Sequence, residues 1–134
     1  HFTRGTKRGN EYMHIVAYAD DQVYRGYERE TMAPRITEAV NDTRGTVVTY
    51  DDDIAITPYF SRSDGYTRDW AEVWGGDVAW AKSVKVPCDE GKSLWGHGVG
   101  MSASGALCMA NGGDTWDEIL KHFYTGVELH KRWE

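Results

Sequence analysis

The chain has 134 residues, a length that fits one domain with a hydrophobic core of its own. Its net charge of −6 argues against a nucleic-acid partner, because binding to phosphates requires a positive surface. No apolar run reaches the roughly 18 residues that a transmembrane helix requires. Six Trp and eight Tyr residues make the chain rich in aromatic rings, which pack cores but also line ligand-binding grooves.

The first part of the chain is predicted to form strands and one short helix. Residues 13–19 and 22–27 are β-branched and aromatic, and an Asp-Asp turn separates them. Pro34 suits the first turn of a helix that continues to about Val40, because its ring presets the helical backbone angle.

The strongest hairpin signal lies around three consecutive aspartates. Residues 46–50 and 54–60 have strand-forming composition and flank Asp51, Asp52 and Asp53. Pro58 indicates that the second strand is at an edge or is ending there. Three carboxylates also suggest a metal site, but neighbouring strand residues point to opposite faces. We therefore predict a solvated turn at this position.

The second part of the chain is predicted to be irregular at first and then helical. Residues 61–80 are rich in Ser, Asp, Gly and Trp, as in a functional loop, and residues 82–87 are compatible with a further strand. Small residues at 102–110 favour a closely packed helix. A capping box beginning at Thr115 starts the last helix, which Gly126 ends. The predicted fold class is α+β: a mixed or antiparallel sheet with hairpins, followed by two C-terminal helices.

The two cysteines leave two structural alternatives open. We predict that Cys88 and Cys108 are buried free thiols, because cysteine is among the most buried residue types, although a single disulfide would also fit. A zinc site would need these two residues with His97 and His122. Their spacings of nine, eleven and fourteen residues contain no tight pair such as C-x-x-C, so we predict no metal and no cofactor.

Residues 95–102, Trp-Gly-His-Gly-Val-Gly-Met-Ser, carry the densest functional signal. Three glycines within five residues let the backbone turn tightly and approach a ligand closely. His97 stands between two of them, either as a structural residue bonded to the backbone or as a ligand contact. Neither G-x-G-x-x-G nor a Walker lysine is present, so the pattern does not indicate a phosphate site.

The segment from residue 96 to residue 129 resembles the closing signature of SpoIID/LytB domains. The shared pattern is Gly-His-Gly-Val-Gly-Met-Ser, a Gly-Ala pair, Met-Ala, Gly, an Ile-Leu helix and Tyr-x-Gly. Upstream, Gln-Val-Tyr-Arg-Gly at 22–26 and Tyr-Phe-Ser-Arg-Ser-Asp-Gly-Tyr-Thr at 59–67 resemble two further family motifs. Asp64 replaces a usual Gly, and Ala103 stands where Gln is common. The resemblance implies a single SpoIID-like domain over residues 1–134 that lacks the family's N-terminal segment.

The resemblance implies lytic transglycosylation of peptidoglycan: cleavage of the MurNAc–GlcNAc linkage with a 1,6-anhydro product. One carboxylic acid with a raised pKa suffices for this reaction. The family's catalytic glutamate is expected upstream of this chain, so the fragment alone is expected to be inactive. The alternative is a non-catalytic cell-wall binding module or amidase enhancer, with a cell-wall amidase as partner. Either role implies peptidoglycan glycan strands as ligand and a location in the cell envelope or outside the cell.

The resemblance also implies which residues shape the glycan site. The loops at residues 59–67 and 95–102 are expected to lie side by side and wall one cleft, because both combine glycine with polar side chains. The expected substrate-binding residues are Tyr59, Ser61, Ser63, Gly65, Thr67, His97, Gly98 and Ser102.

Overall fold

The computed structural model of the protein describes residues 27–133, apart from the side chains of Arg29 and Glu30. The chain divides into two compact units: residues 1–45 with 133–134, and residues 46–132. The strand predicted at residues 13–19 and nearly all of that at 22–27 lie outside the described residues. That all 134 residues form a single domain stays a prediction.

The described part of the first unit consists of two helices. Helix α1 spans Glu28–Met32 and helix α2 spans Pro34–Asp42. The prediction that Pro34 opens a helix is confirmed, since it occupies the first helical turn. At the other end, the Thr43 hydroxyl donates to the carbonyl oxygen of Ala39 at 2.8 Å and satisfies one of the terminal acceptors.

The second unit begins with the predicted hairpin. Strand β1 (Thr46–Tyr50) pairs antiparallel with strand β2 (Asp53–Ile54) through a two-residue turn. Asp51 and Asp52 have φ of 49° and 66°, the positive values that a type I′ turn requires. The three aspartates are exposed, so the solvated turn is confirmed. Strand β2 is shorter than predicted and ends before Pro58.

Two further strand pairings follow from distant parts of the chain. Strand β5 (Glu128–Lys131) pairs antiparallel with the other edge of β1, which gives the sheet order β2-β1-β5. Strand β3 (Tyr59–Phe60) pairs in parallel with β4 (Met101–Ser102). The α+β class is confirmed, and one strand follows the last helix instead of preceding it.

Both predicted C-terminal helices are confirmed. Helix α4 (Ala103–Gly112) starts at Ser102, whose hydroxyl oxygen accepts the backbone N–H of Gly105 at 3.1 Å. Helix α5 (Trp116–Phe123) begins with the predicted capping box. The Glu118 carboxylate accepts the backbone N–H of Thr115 at 2.8 Å. Small residues in α4 let it pack closely: a Cβ added at Gly105 would lie 2.5 Å from Val86.

The stretch between β3 and β4 contains two short helical elements. Helix α3 (Trp70–Trp74) lies within the region predicted to be irregular and is capped by Asp69, which accepts the N–H of Ala71 at 2.9 Å. The strand predicted at 82–87 is wrong: within it only Lys85 forms an isolated bridge, with Tyr66. Proline at position 87 then starts a 3₁₀-helix, Pro87–Asp89, because it cannot donate to a strand ladder.

The core of the second unit lies between helix α5 and the segment before the 3₁₀-helix. Its buried members are Val86, Ile119, Phe123, Tyr124 and Val127. Half-buried residues from β1, β4 and α4 surround this cluster. In the part of the chain that the structure describes, the helices are too short to cross a bilayer, the longest having 10 residues.

The cysteines form a disulfide, so the prediction of two buried free thiols is wrong. Cys88 in the 3₁₀-helix is bonded to Cys108 in α4, with 6.2 Å between the Cα atoms. The burial on which the prediction rested is also absent, since Cys108 is exposed and Cys88 is half-buried. The bridge fastens the 3₁₀-helix to α4. It also removes the zinc alternative, because bonded sulfurs are not thiolate ligands.

Candidate functional site

The two loops singled out in the sequence lie side by side, as predicted. We name residues 59–67 the serine loop and residues 95–102 the glycine loop. Strands β3 and β4 join their ends, and Arg62 and Trp95 exchange two backbone hydrogen bonds of 3.1 and 2.8 Å. Just beyond the serine loop, the N–H of Arg68 donates to the carbonyl oxygen of Gly98 at 2.7 Å. The backbones of the two loops are therefore fixed against each other along most of their length.

A buried carboxylate, Asp89, forms hydrogen bonds with residues of both loops. Its Oδ2 accepts hydrogen bonds from the hydroxyls of Ser63 at 2.8 Å and Ser102 at 2.5 Å, and from the backbone N–H of Ser63 at 3.2 Å. Its Oδ1 accepts from the Ser104 hydroxyl at 2.7 Å and from the Lys92 ammonium at 3.2 Å. The side chain of Asp89 is 0% exposed. One carboxylate thus connects the serine loop, the end of the glycine loop and the first turn of α4.

The charge of Asp89 is stabilised in spite of its burial. Burial alone would raise the pKa of Asp89, but the hydrogen bonds from Ser102, Ser104, Ser63 and Lys92 outweigh it and hold the pKa well below its usual range. A general acid requires the opposite shift, because it must carry a proton at neutral pH. Asp89 is therefore an ionised anchor for the loops and is unsuited to protonating a leaving group.

The ring of His97 lies at the junction of the two loops and makes main-chain contacts. Its Nδ1 accepts the backbone N–H of Val99 at 3.0 Å. Burial lowers the pKa of His97, and a hydrogen bond to the backbone of Tyr59 opposes that shift. The imidazole is accordingly neutral at pH 7 and helps to hold both loops.

Aromatic rings continue from His97 across the surface. The His97 ring lies 4.8 Å from the ring of Trp74 and 5.6 Å from that of Phe60, centroid to centroid. Tyr59, Trp74 and Trp95 are 53%, 47% and 68% exposed. We name these three residues with His97 the aromatic face. Tyr59 and Trp95 belong to the two loops, and Trp74 ends helix α3, where its ring packs against His97. Exposed rings of this kind suit a ligand that has both apolar faces and polar edges.

Comparison with known proteins gives the context for this geometry. The family model described as "Stage II sporulation protein" (SpoIID) matches residues 2–50. Stage II sporulation protein D of Bacillus subtilis (strain 168) is 25% identical in an alignment that covers 78% of this chain and 53% of the relative. The protein of the same name in Bacillus amyloliquefaciens is 24% identical in an alignment that covers 71% of this chain and 51% of the relative. The chain is thus similar to the SpoIID family.

The SpoIID relationship covers different parts of the chain to different extents. The family-model match ends at residue 50, whereas the matches to the two Bacillus proteins cover more than two-thirds of the chain. The chain spans about half the length of these relatives. The roles of the serine and glycine loops are consequently argued from the geometry of this chain.

The eight residues expected from the SpoIID resemblance divide into two groups by exposure. Tyr59 and Ser61 are exposed and His97 is half-buried, so a ligand can reach these three. The other five are buried: Ser63, Gly65, Thr67, Gly98 and Ser102. Contact with substrate stays a prediction for all eight.

The buried group makes hydrogen bonds inside the protein. The hydroxyls of Ser63 and Ser102 donate to Asp89. The Thr67 hydroxyl oxygen accepts the N–H of Val84 at 2.8 Å. The carbonyl oxygen of Gly65 accepts the N–H of Val86 at 2.7 Å. These hydrogen bonds position the serine and glycine loops.

Sequence reasoning missed Asp89, the residue with the most contacts at the site. Its hydrogen-bond donors lie as far as 26 residues away in the chain, so no local pattern marks it. The local sequence Pro-Cys-Asp gave no signal beyond the cysteine. Within residues 27–133, no three His, Cys, Asp or Glu side chains are grouped so as to hold a metal ion.

Proposed function

We propose that this chain is a peptidoglycan glycan-strand binding and cleavage module of lytic transglycosylase type. Its target is the MurNAc–GlcNAc linkage, and its product is a 1,6-anhydro sugar. The exposed rings of the aromatic face support the proposal, in combination with the similarity to the SpoIID family. The apolar faces of sugar rings stack on Trp and Tyr, while hydroxyl and amide groups at the rim bind the sugar's polar substituents.

The proposed acid/base residue is a glutamate supplied from outside residues 27–133. The carboxyl groups with a displaced pKa in the described part are Asp64, Asp89, Asp117 and Glu118, and each is displaced downward. Transglycosylation needs a carboxyl group displaced upward, which protonates the leaving oxygen and then accepts the proton of the 6-hydroxyl. The loops of this chain would then orient the glycan beside that acid, which is a positioning role.

We further propose a location outside the cytoplasm, in the cell envelope or secreted. Peptidoglycan is found there, and the Cys88–Cys108 disulfide supports this location because such bonds persist in oxidising compartments.

Removing rings of the aromatic face is expected to weaken binding to purified sacculi. Trp74→Ala and Trp95→Ala should each raise the dissociation constant about tenfold, since an exposed ring that stacks on a ligand contributes about 1–2 kcal/mol. Sedimentation of the protein with sacculi measures this. Trp116→Ala is the matched control, because Trp116 is similarly exposed, at 51%, but lies at the start of α5 and is not part of the aromatic face. Equal losses in all three variants, or none in the first two, would contradict the proposal.

The second candidate is a non-catalytic glycan-binding module or amidase enhancer. The observation favouring it is that Asp89, the buried carboxylate that connects the two loops, is held as an anion. The 134-residue chain alone is expected to release no 1,6-anhydro-muropeptides from sacculi, as measured by mass spectrometry. Release of that product by the chain alone would show that an acid within it suffices and would contradict the second candidate. Faster release of peptides by a cell-wall amidase when the chain is added, compared with the amidase alone, would favour the enhancer.

A further inference from the structure

Arg62 lies in the serine loop and is held over the ring of Trp95. Its Nε donates to the carbonyl oxygen of Ser93 at 3.0 Å, and its guanidinium carbon is 5.8 Å from the centroid of the Trp95 ring. The backbones of Arg62 and Trp95 are also joined by two hydrogen bonds. The guanidinium is therefore preorganised, and its two terminal nitrogens form no hydrogen bond with residues 27–133.

Arg62 differs from several other cations of residues 27–133 because it forms no ion pair with a carboxylate in that range. Arg68 pairs with Asp64 at 2.7 Å, Lys82 with Asp77 at 2.6 Å, and Lys92 with Asp89 at 3.2 Å. No carboxylate of the described residues lies within ion-pair distance of Arg62, although the chain has 21 acidic residues against 15 basic ones. A fixed guanidinium with free terminal N–H groups is the donor arrangement that binds carboxylates in a bidentate manner.

We infer that Arg62 and Trp95 form a subsite for a carboxylate-bearing sugar. This inference rests on the proposed glycan-binding function and names the chemistry that the site recognises. Trp95 is 68% exposed, so a sugar ring can stack on the indole. The terminal nitrogens of Arg62 bind a carboxylate carried by that sugar or by the next one. The aromatic face supplies affinity for any pyranose, and Arg62 supplies the preference for an anionic glycan.

A peptidoglycan strand offers such a carboxylate from two sources. One is the lactyl group of MurNAc after the peptide stem has been removed, and the other is the stem itself. Four probes separate the cases: denuded strands, the same strands with carboxylates converted to methylamides, strands with intact stems, and neutral chitohexaose. The second probe lacks the negative charge of the first and carries a neutral amide in its place.

The wild-type chain is expected to bind denuded strands about tenfold more tightly than their methylamides, the equivalent of one charge-assisted contact. Arg62→Gln should remove this difference while leaving the affinity for chitohexaose unchanged. Lys85→Gln is the matched control, because Lys85 is an exposed cation of the same unit without an ion pair to any described residue. The preference should also decrease as salt is added. Thermal melts of both variants confirm that they are folded.

Each result decides one question. Equal binding of denuded and methylamidated strands by the wild-type chain overturns the inference, whatever the variants do. So does an Arg62→Gln variant that is folded and keeps the preference. Tighter binding to strands with stems than to denuded strands supports the subsite and assigns the carboxylate to the stem. If no probe binds, or if chitohexaose binding does not depend on Trp95, the proposed glycan-binding function itself fails.

Discussion

Replacing Gly100 by alanine is expected to lower the free energy of unfolding by about 2–5 kcal/mol. Gly100 has φ of +80°, and a Cβ there would lie only 2.0 Å from the carbonyl oxygen of Pro58. That oxygen accepts the backbone N–H of Met101 at 3.1 Å and the hydroxyl of Tyr124 at 2.5 Å. Because the oxygen must move, the buried Tyr124 hydroxyl loses its acceptor. Chemical denaturation measures the change.

Two other glycines separate backbone strain from collision. Gly113 has φ of +107° and nothing within 4 Å of an added Cβ, so Gly113→Ala should show only the backbone cost of about 1–2 kcal/mol. Gly112, inside α4, has open space as well and no positive φ, so Gly112→Ala should leave stability equal or slightly higher. If Gly100→Ala costs no more than Gly113→Ala, the contact with Pro58 does not constrain the loop.

Removal of the carboxylate of Asp89 is expected to cost about 3–5 kcal/mol, as for other buried charges that lose one partner. Alanine at this position leaves the buried hydroxyls of Ser63 and Ser102 without their acceptor. Lys92 contributes less to the cost, because its side chain is 42% exposed and regains water. The melting temperature reports the loss, and binding to sacculi should fall with it, since both loops lose their common anchor.

The same carboxylate predicts a specific sensitivity to acid. The pKa of Asp89 is lowered in the folded protein and returns to its ordinary value of 3.8 on unfolding. Its contribution to stability is therefore complete above about pH 4 and is lost progressively as the pH falls below that value. Asp89→Asn, which keeps the size but not the charge, should flatten the decline of stability between about pH 4 and pH 2. Asp64, Asp117 and Glu118 contribute equally to both proteins and form the background. An unchanged decline in the variant would show that Asp89 is not the titrating group.

Features determined by neighbouring residues were predictable from the sequence. The hairpin follows from two β-branched runs around an Asp-Asp turn. The two C-terminal helices start at Ser102 and Thr115, because each of these residues forms a capping hydrogen bond with a residue three positions later. The adjacency of the serine and glycine loops was predicted because both combine glycine with polar side chains, and the hydrogen bonds between Arg62 and Trp95 confirm it.

Features that depend on distant partners were not predictable. Strand β5, with the sequence Glu-Leu-His-Lys, has no β-branched residue and is extended because it pairs with β1 about 80 residues earlier. The hydroxyls of Ser63 and Ser102 were expected to face a ligand, but their orientation follows from Asp89, whose place beneath both loops no local pattern indicates. A sequence shows which side chains are polar, whereas burial decides whether they meet solvent or each other.

The pairing of β5 with β1 brings together the two ends of the second unit. Its first residue, Thr46, stands opposite Lys131, one residue before its last, and two strands side by side are only about 5 Å apart. Units whose first and last residues lie close together commonly tolerate circular permutation and insertion into another protein. Residues 46–132 are therefore expected to tolerate circular permutation, with a short linker joining Arg132 to Thr46 and new termini at the exposed Asp51–Asp52 turn.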